Sequence, residues 1–333
     1  MRQKKPRILV VGSFVMDVIA ATNRIPSAGQ TVYGESFHMA PGGKGANQAL
    51  QCARLGADVT MMGCVGDDLF GQHLLETPRK SGVDVSHVVV RPGISSGVGH
   101  VTLEVTDHTA QNRIVVIRGA NAALTLEDVA WIRDTIHTYD MVLLQLEIPL
   151  EVNRAVAGWA HAAGVPVMLN PAPATDLDEH LLQSVTYMIP NEQEASVETG
   201  LPLRTEGGAL RQEDLEAIAA KLCSYGVEHV IITLGGHGSA VVKADGIQYI
   251  PIVQMPHVAD PTAAGDSYVG ALAVGLTTGL SLESAMAFAS HTAAITVSRM
   301  GAMPSLPTLE EVLLLLRDRE CRTVPLSCLE ALR

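Results

Sequence analysis

Short runs of aliphatic and β-branched residues recur along the chain, separated by stretches in which apolar positions return every three or four residues. The runs RILVVGS (7–13), DVTMMGCVG (58–66), MVLLQLEI (141–148), VPVMLNPAP (165–173), YMIPNE (187–192) and HVIITLGG (229–236) are continuous rather than alternating. Such runs predict strands covered on both faces. Helical spacing falls at 45–55, 125–138, 150–163 and 210–225. This order predicts an α/β fold, a central mostly parallel sheet between two layers of helices. Thr125 and Thr308, each three residues ahead of an acid (Asp128, Glu311), predict helix N-caps.

Two stretches break the rhythm. Residues 18–40 and 97–119 alternate like strands, carry turn residues and leave no room for a helix between strands. They predict two hairpins that leave the main sheet and join in a small β-layer. Inserted near the carboxyl ends of parallel strands, that layer would lie over the crevice where open α/β sheets bind ligands, as a lid. The rest reads as one domain over 1–333, with helices dominating after 281 and no readable pattern in the tail 321–333.

Composition narrows the possible partners. With 47% hydrophobic and 17% charged residues the 333-residue chain is globular. Its 23 Lys+Arg against 35 Asp+Glu give a net charge of −12, which opposes binding to nucleic acid or an anionic membrane surface. A small-molecule partner is favoured. The five cysteines form no C-x-x-C pair and read as reduced thiols of a cytoplasmic protein. The start, MRQKKPRILVVGSFVMDVIAA, has the basic-then-apolar order of an export signal, but Asp17 interrupts the apolar run and no small-residue cleavage site follows. No stretch approaches the roughly 18 apolar residues of a membrane span.

Several stretches carry candidate chemistry. In DPTAAGDSYVGAL, the small residues Ala263, Ala264 and Gly265 let a ligand approach the backbone at a helix start, where unpaired N–H groups and the dipole form an anion cradle. Asp266 beside them is either a working carboxylate or a plain first-turn acid. In PGGKGANQALQ, Gly42 and Gly43 permit positive φ and close approach, Lys44 follows, and Asn47 and Gln48 open an amphipathic helix. Gly45 stands where a Walker A loop needs Ser or Thr. Asn191 and Glu194 in NEQEASVETG share one helical face and are placed to hold a hydrated Mg²⁺, or merely to start a helix. TLGGHGS (233–239) is a nucleotide-contacting turn or only a hairpin. Asp17 and Glu147 end strand runs at the ligand edge of the sheet, where a buried structural acid would look identical. Asn170 fits a turn cap, and the histidines show no metal-ligand spacing.

Taken in order, VGSFVMD, GGKGANQA, VGDDLFG, LQLEIP, NPAP, PNEQE, TLGGHG and DPTAAGDSYVGAL resemble the PfkB family of carbohydrate kinases, and within it the ribokinases, over about residues 7–310. The resemblance implies a ribokinase-like, Rossmann-like three-layer body with a β-sheet lid that often forms a homodimer contact. It implies transfer of the γ-phosphoryl group of ATP to the primary 5-hydroxyl of a pentose, D-ribose above all. By resemblance Asp266 is the catalytic base and Ala263, Ala264 and Gly265 are the anion hole. Asp17, Gly42, Gly43, Lys44, Asn47 and Glu147 form the sugar pocket. Asn191 and Glu194 organise Mg²⁺ and phosphate, and Thr233, Gly235 and Gly238 follow the nucleotide. An activating K⁺ would be held by Asp260, Thr262, Val297, Met300, Gly301 and Ser305.

The sequence departs from that pattern at two places. The first motif of ribokinases usually carries Asn where Val15 stands, and Thr is common where Pro261 stands. An apolar Val15 suits a sugar lacking one hydroxyl, so 2-deoxyribose competes with ribose as the expected substrate, and other sugar or nucleoside acceptors stay open. A nicotinamide-dependent dehydrogenase is opposed by the absence of G-x-G-x-x-G after the first strand. A non-catalytic sugar-binding regulator is opposed by the full set Asn191, Glu194, Gly265 and Asp266.

Overall fold

The computed structural model describes residues 5–333 except 106–109, 176, 178, 207–208 and 244–245, so the tip of the second expected hairpin and residues 1–4 lie outside the described residues. The chain runs from β1 (Arg7–Val11) into a hairpin of β2 (Val15–Thr22) and β3 (Ser36–Gly42), then α1 (Lys44–Arg54) and β4 (Asp58–Met62). A second hairpin, β5 (Gly97–Val105) and β6 (Ala110–Ile117), precedes β7 (Met141–Gln145), α2 (Leu150–Ala162), β8 (Val167–Asn170) and β9 (Tyr187–Met188). Next come α3 (Glu192–Thr199), α4 (Gln212–Ser224), β10 (His229–Thr233), β11 (Ser239–Lys243) and β12 (Gly246–Ile250). The helices α5 (Ala264–Thr277), α6 (Leu282–Val297) and α7 (Leu309–Asp318) follow.

The main sheet has the order β12-β11-β10-β9-β8-β7-β1-β4, parallel from β4 to β10 and antiparallel at β11 and β12. Successive residues of its inner strands enter opposite cores. Ile8 and Val10 of β1 pack with α1, α5, α6 and α7, whereas Leu9 and Val11 pack with α2 and α4. Burial on both faces is the reason these strands read as continuous apolar runs.

The lid forms as expected, in the order β3-β2-β5-β6, with each hairpin antiparallel and the two joined by parallel β2 and β5. Its first hairpin begins earlier than expected, at Val15, and closes at Gly42. Because β2 follows directly on β1, the lid hangs from the carboxyl edge of the sheet. There the chain has strand β4 on one side of β1 and β7 on the other, the switch point at which open sheets bind ligands.

Three expectations need correction. DVTMMGCVG is not one strand: after Met62 the chain leaves the sheet, and Cys64–Gly66 pairs with Val89–Arg91 in a separate ribbon. Gly63 marks the break, where a Cβ would lie 2.4 Å from the Gly12 carbonyl oxygen and only glycine fits. The helix expected over 125–138 starts only at Ala130 and tightens to 3₁₀ geometry at 136–138. Thr125 and Asp128 do clasp each other, but Asp128 also takes the Arg91 guanidinium at 2.5 Å and closes a turn instead. The tail is ordered rather than patternless, forming a short helix Leu326–Glu330 and burying Val324, Leu329 and Leu332 in the core. Thr308 and Glu311 make the full capping box of α7.

Candidate active site

The start of α5 is built around Ala263, whose φ of 60° and ψ of 9° place a residue with a Cβ in the left-handed region. Such a conformation costs about 1–2 kcal/mol in an L-residue and tends to survive where function holds it. The N–H of Ala264 is spent on the Pro261 carbonyl (3.1 Å), and the first intrahelical bond runs from Ser267 to Ala263 (2.8 Å). No side chain caps this end. The N–H groups of Gly265 and Asp266 are therefore left without an intrahelical acceptor. A Cβ on Gly265 would meet nothing within 4 Å, so the fold itself does not need glycine here, whereas a ligand approaching the backbone would.

Asp266 is buried behind this mouth. Asn47 Nδ2 donates to its Oδ2 at 2.8 Å and Gln48 Nε2 to its Oδ1 at 3.1 Å. Both donors come from the first turns of α1, and they reach α5 because Gly270 admits α1 closely: a Cβ there would stand 2.9 Å from Gln51 Cβ. Gln48 also donates to Asn170 Oδ1 (3.2 Å) and accepts from Gln145 Nε2 (2.6 Å). Gln145 and Asn170 are the last residues of the neighbouring strands β7 and β8, paired in register.

In front of Asp266 lies a cavity of about 200 Å³ lined by Lys44, Asn170, Ile189, Asn191, Glu194, Thr233, Ala263, Gly265, Asp266 and Val269. Burial pulls the Lys44 ammonium down, but the carboxylates of Asp266, Glu147 and Glu194 outweigh it and hold its pKa above the ordinary value. Lys44 is thus a cation throughout the physiological range. Glu194 and Asn191 form a reciprocal capping box at the start of α3: Glu194 N–H to Asn191 Oδ1 at 2.8 Å, Asn191 N–H to Glu194 Oε2 at 2.9 Å. Burial raises the Glu194 pKa, with Asp266 adding to the rise and the Asn191 N–H and Lys44 opposing it.

The glycine turn adjoins this cavity. Gly43 has φ 96°, and a Cβ there would sit 2.7 Å from Val15 N, so it needs glycine for both reasons given by its sequence. Gly42 does not: it ends β3 in extended backbone and makes room for Asp17, whose Oδ2 would lie 3.2 Å from a Cβ at that position. Glu147, just past β7, accepts from the Ser13 hydroxyl and from the Lys44 N–H (3.0 Å). Burial, and then the charge of Glu147, raise the pKa of Asp17 to about 6.

Of the remaining candidates Thr233 belongs to the cavity wall and the others stand apart from it. Thr233 bridges to Asn191 and lines the cavity, while Gly235 and Gly238 form the tight turn between β10 and β11. A Cβ on Gly238 would meet the Ile250 carbonyl oxygen at 2.1 Å, so hairpin packing alone requires that glycine. Asp260, Thr262, Val297 and Gly301 gather beside the helix mouth. Asp260 Oδ1 accepts from Thr262 N–H (2.9 Å) and Oγ1 (2.6 Å), and Oδ2 from Gly301 N–H (2.9 Å). The Val297 carbonyl takes the N–H groups of Ala259 and Asp260, Met300 lies in the loop leading to Gly301, and Ser305 donates to the Ala302 carbonyl (2.6 Å).

Sequence reasoning saw Gln48 only as a helix opener and Asn170 only as a turn cap, and missed Gln145. The available signal was a polar side chain inside the otherwise apolar run MVLLQLEI, since a buried amide demands partners. Among the described residues no group of three or more His, Cys, Asp or Glu could hold a metal ion.

The model described as pfkB family carbohydrate kinase matches residues 5–309. A ribokinase of Schizosaccharomyces pombe is 39% identical over 312 residues, 92% of this chain and 96% of that relative. A deoxyribokinase of Salmonella typhi is 32% identical over 305 residues, 91% of this chain and 96% of the relative. The solved structure of Arabidopsis thaliana ribokinase complexed with ribose and ATP superposes with a TM-score of 0.85 at 32% identity, covering 94% of this chain and 99% of that one. The matched stretch contains every residue of the cavity, and the chain belongs to the pfkB family of carbohydrate kinases.

Proposed function

We propose that the protein transfers the γ-phosphoryl group of ATP to the primary 5-hydroxyl of a pentose, D-ribose first, giving D-ribose 5-phosphate. One observation carries this reading: a buried carboxylate, Asp266, is gripped by two amides at the wall of a cavity whose other wall is an uncapped helix start and a lysine. The sugar hydroxyl oxygen forms the new bond to phosphorus, the bond to the ADP oxygen breaks, and the hydroxyl proton passes to Asp266. Phosphoryl transfer runs through a loose transition state, so positioning and charge stabilisation carry most of the catalysis. The N–H groups of Gly265 and Asp266 and the Lys44 ammonium supply that stabilisation. Asp17, Glu147, Asn47 and the Gly42–Gly43 turn hold the sugar, and Asn191, Thr233 and the Gly235–Gly238 turn follow the nucleotide.

Mg²⁺ fits the hard oxygen donors of this wall, and Glu194, whose ionisation burial disfavours, is the carboxylate that would hold it, through water, with Asn191 beside it. Bound there it neutralises charge between phosphates. K⁺ fits the cluster at Asp260, where the Thr262 and Gly301 donors outweigh burial and hold the carboxyl below its ordinary pKa. Asp260, Ser305 and the carbonyls of Thr262, Val297, Met300 and Gly301 would hold the ion, which supplies fixed positive charge beside the helix mouth.

The lid supports a homodimer. Ile114, Val115, Val116 and Ile117 are consecutive and all exposed, as are Phe37 and Met39 on the opposite edge strand of the same sheet. Apolar surface of that extent favours cover by a second copy, and light scattering reads it. Five free thiols agree with a cytoplasmic location, and among the described residues no helix is long and apolar enough to cross a membrane.

A second reading, 2-deoxyribose as acceptor, is favoured by Val15, an apolar residue on the lid face that carries Asp17. The deciding experiment is a coupled assay of ADP formation over a panel containing ribose, 2-deoxyribose, fructose and nucleosides. Turnover of a pentose above the others supports the proposal, and no turnover of any acceptor overturns it.

A further inference from the structure

We infer that Gln48 is a positioning residue for Asp266, locked by its neighbours in the one amide orientation that offers the carboxylate a donor. The inference rests on the reading of Asp266 as the base.

The lock follows from donor and acceptor chemistry. The Ile189 carbonyl can only accept, so Asn170 presents Nδ2 to it (3.0 Å) and turns Oδ1 towards Gln48. That oxygen can only accept as well, so Gln48 presents Nε2 to it at 3.2 Å, and the same nitrogen's second hydrogen reaches Asp266 Oδ1 at 3.1 Å. Oε1 of Gln48 is left for the Nε2 of Gln145, at 2.6 Å. Turning over any one of these amides would set two acceptors or two donors face to face. Gln48 and Gln145 are fully buried and Asn170 nearly so, so no such mismatch is relieved by water.

Asn47 contrasts with this. It grips Oδ2 of Asp266 at 2.8 Å, yet its own Oδ1, like Oε1 of Gln145, is buried with no partner among the described residues, whereas both polar atoms of Gln48 are engaged. Asn47 is thus held by the carboxylate, whereas Gln48 holds it, tying α5 through α1 to the ends of β7 and β8. The charged groups that also face Asp266 are Lys44 and Glu194, both across the cavity. Neither fixes the carboxylate's orientation by a hydrogen bond, so the angle at which it meets a hydroxyl is set by the two amides. A misplacement of about 1 Å costs on the order of a hundredfold in rate.

The test is a double-mutant cycle on the full chain with ribose and ATP, using Gln48→Leu, Asp266→Asn and the pair. Gln48→Leu is expected to lower kcat about ten- to hundredfold with KM for ATP within about twofold. In the double variant the Gln48 change should cost nothing further, because it acts only through the carboxylate. Losses that multiply in the double variant, or a KM for ATP that rises in step with the fall in kcat, overturn the inference. Should Gln48→Leu fail to fold, the isosteric Gln48→Glu sets an acceptor against Asp266 and lowers kcat in the same range, and normal kcat in that variant overturns the inference equally. Near-normal turnover of Asp266→Asn alone is a different result, since it removes the base and not the mounting.

Discussion

Gly12 lies so close to Gln145 that a Cβ added to it would stand 2.0 Å from Oε1 of that side chain. The first motif of the chain thereby meets the last residue of β7, and through Gln145 and Gln48 it bears on Asp266 from across the sheet. The same Cβ would lie 2.8 Å from the Cα of Gly45, where little can give. Gly12→Ala is therefore expected to destabilise the protein by about 1–3 kcal/mol, the usual cost of overpacking. It should also lower kcat more than it raises KM for ATP, because Gln145 must turn away from Gln48. Adding Gln145→Ala should restore part of the melting temperature and none of the kcat. Thermal melts and initial rates on the three variants check this, and full recovery of rate in the double variant would contradict the linkage.

Asp17 is expected to give the enzyme a pH dependence. Burial, then Glu147, raise its pKa from 3.8 to about 6 in the folded protein. A raised carboxyl binds its proton more tightly folded than unfolded, so this group favours the fold at low pH and that contribution is lost as pH rises from 3.8 to about 6. In its proposed place in the sugar pocket Asp17 acts the other way on binding, since its ionised form accepts best from hydroxyl donors. The KM for ribose is expected to rise below pH about 6, by up to about tenfold per pH unit, with KM for ATP flat. Asp17→Asn should lose that slope, and its melting temperature should gain on the parent more at pH 8 than at pH 5. A ribose KM that stays constant from pH 5 to 8 counts against the assignment.

The fold was legible in the chain because burial on both sides of the sheet writes itself as unbroken apolar runs, and the two lid hairpins as alternation. Asp266 and the small residues before it were legible because a helix start is a local feature. Gln48 and Gln145 were not, as an amide's purpose is set by partners drawn from α5, β7 and β8, far apart in sequence. Gly42 was misread for the same reason: its need for a missing Cβ comes from Asp17 across the strand pair and not from its own backbone angles.

The tail shows the limit of periodicity. Residues 321–333 hold only one short helix, too brief for a repeat to register, yet Val324, Leu329 and Leu332 are buried against α6, α7 and the end of α1. Leu332 sits so near Gly56 that a Cβ there would meet its carbonyl oxygen at 2.9 Å. Each buried aliphatic side chain contributes about 1.5–3 kcal/mol. Truncation after Glu320 should therefore lower the melting temperature by many degrees, while the folded fraction keeps its KM for ATP and sugar. An unchanged melt would show that the tail is dispensable.

Val15 is expected to bear on which sugar is preferred. It is 7% exposed, shares its lid face with Asp17, and lies with Cγ1 3.6 Å from where a Cβ on Gly99 would be. A sugar hydroxyl set against this side chain loses water and gains no partner, which costs about 1–3 kcal/mol. A hydrogen at the same position loses nothing. The native enzyme is accordingly expected to use 2-deoxyribose with a kcat/KM comparable to that for ribose. Val15→Asn supplies the missing partner and should raise the ribose to 2-deoxyribose ratio about tenfold or more, mostly by improving ribose. Measuring both ratios on parent and variant tests the argument: a large native preference for ribose, with no change on substitution, means that the distinguishing hydroxyl faces elsewhere.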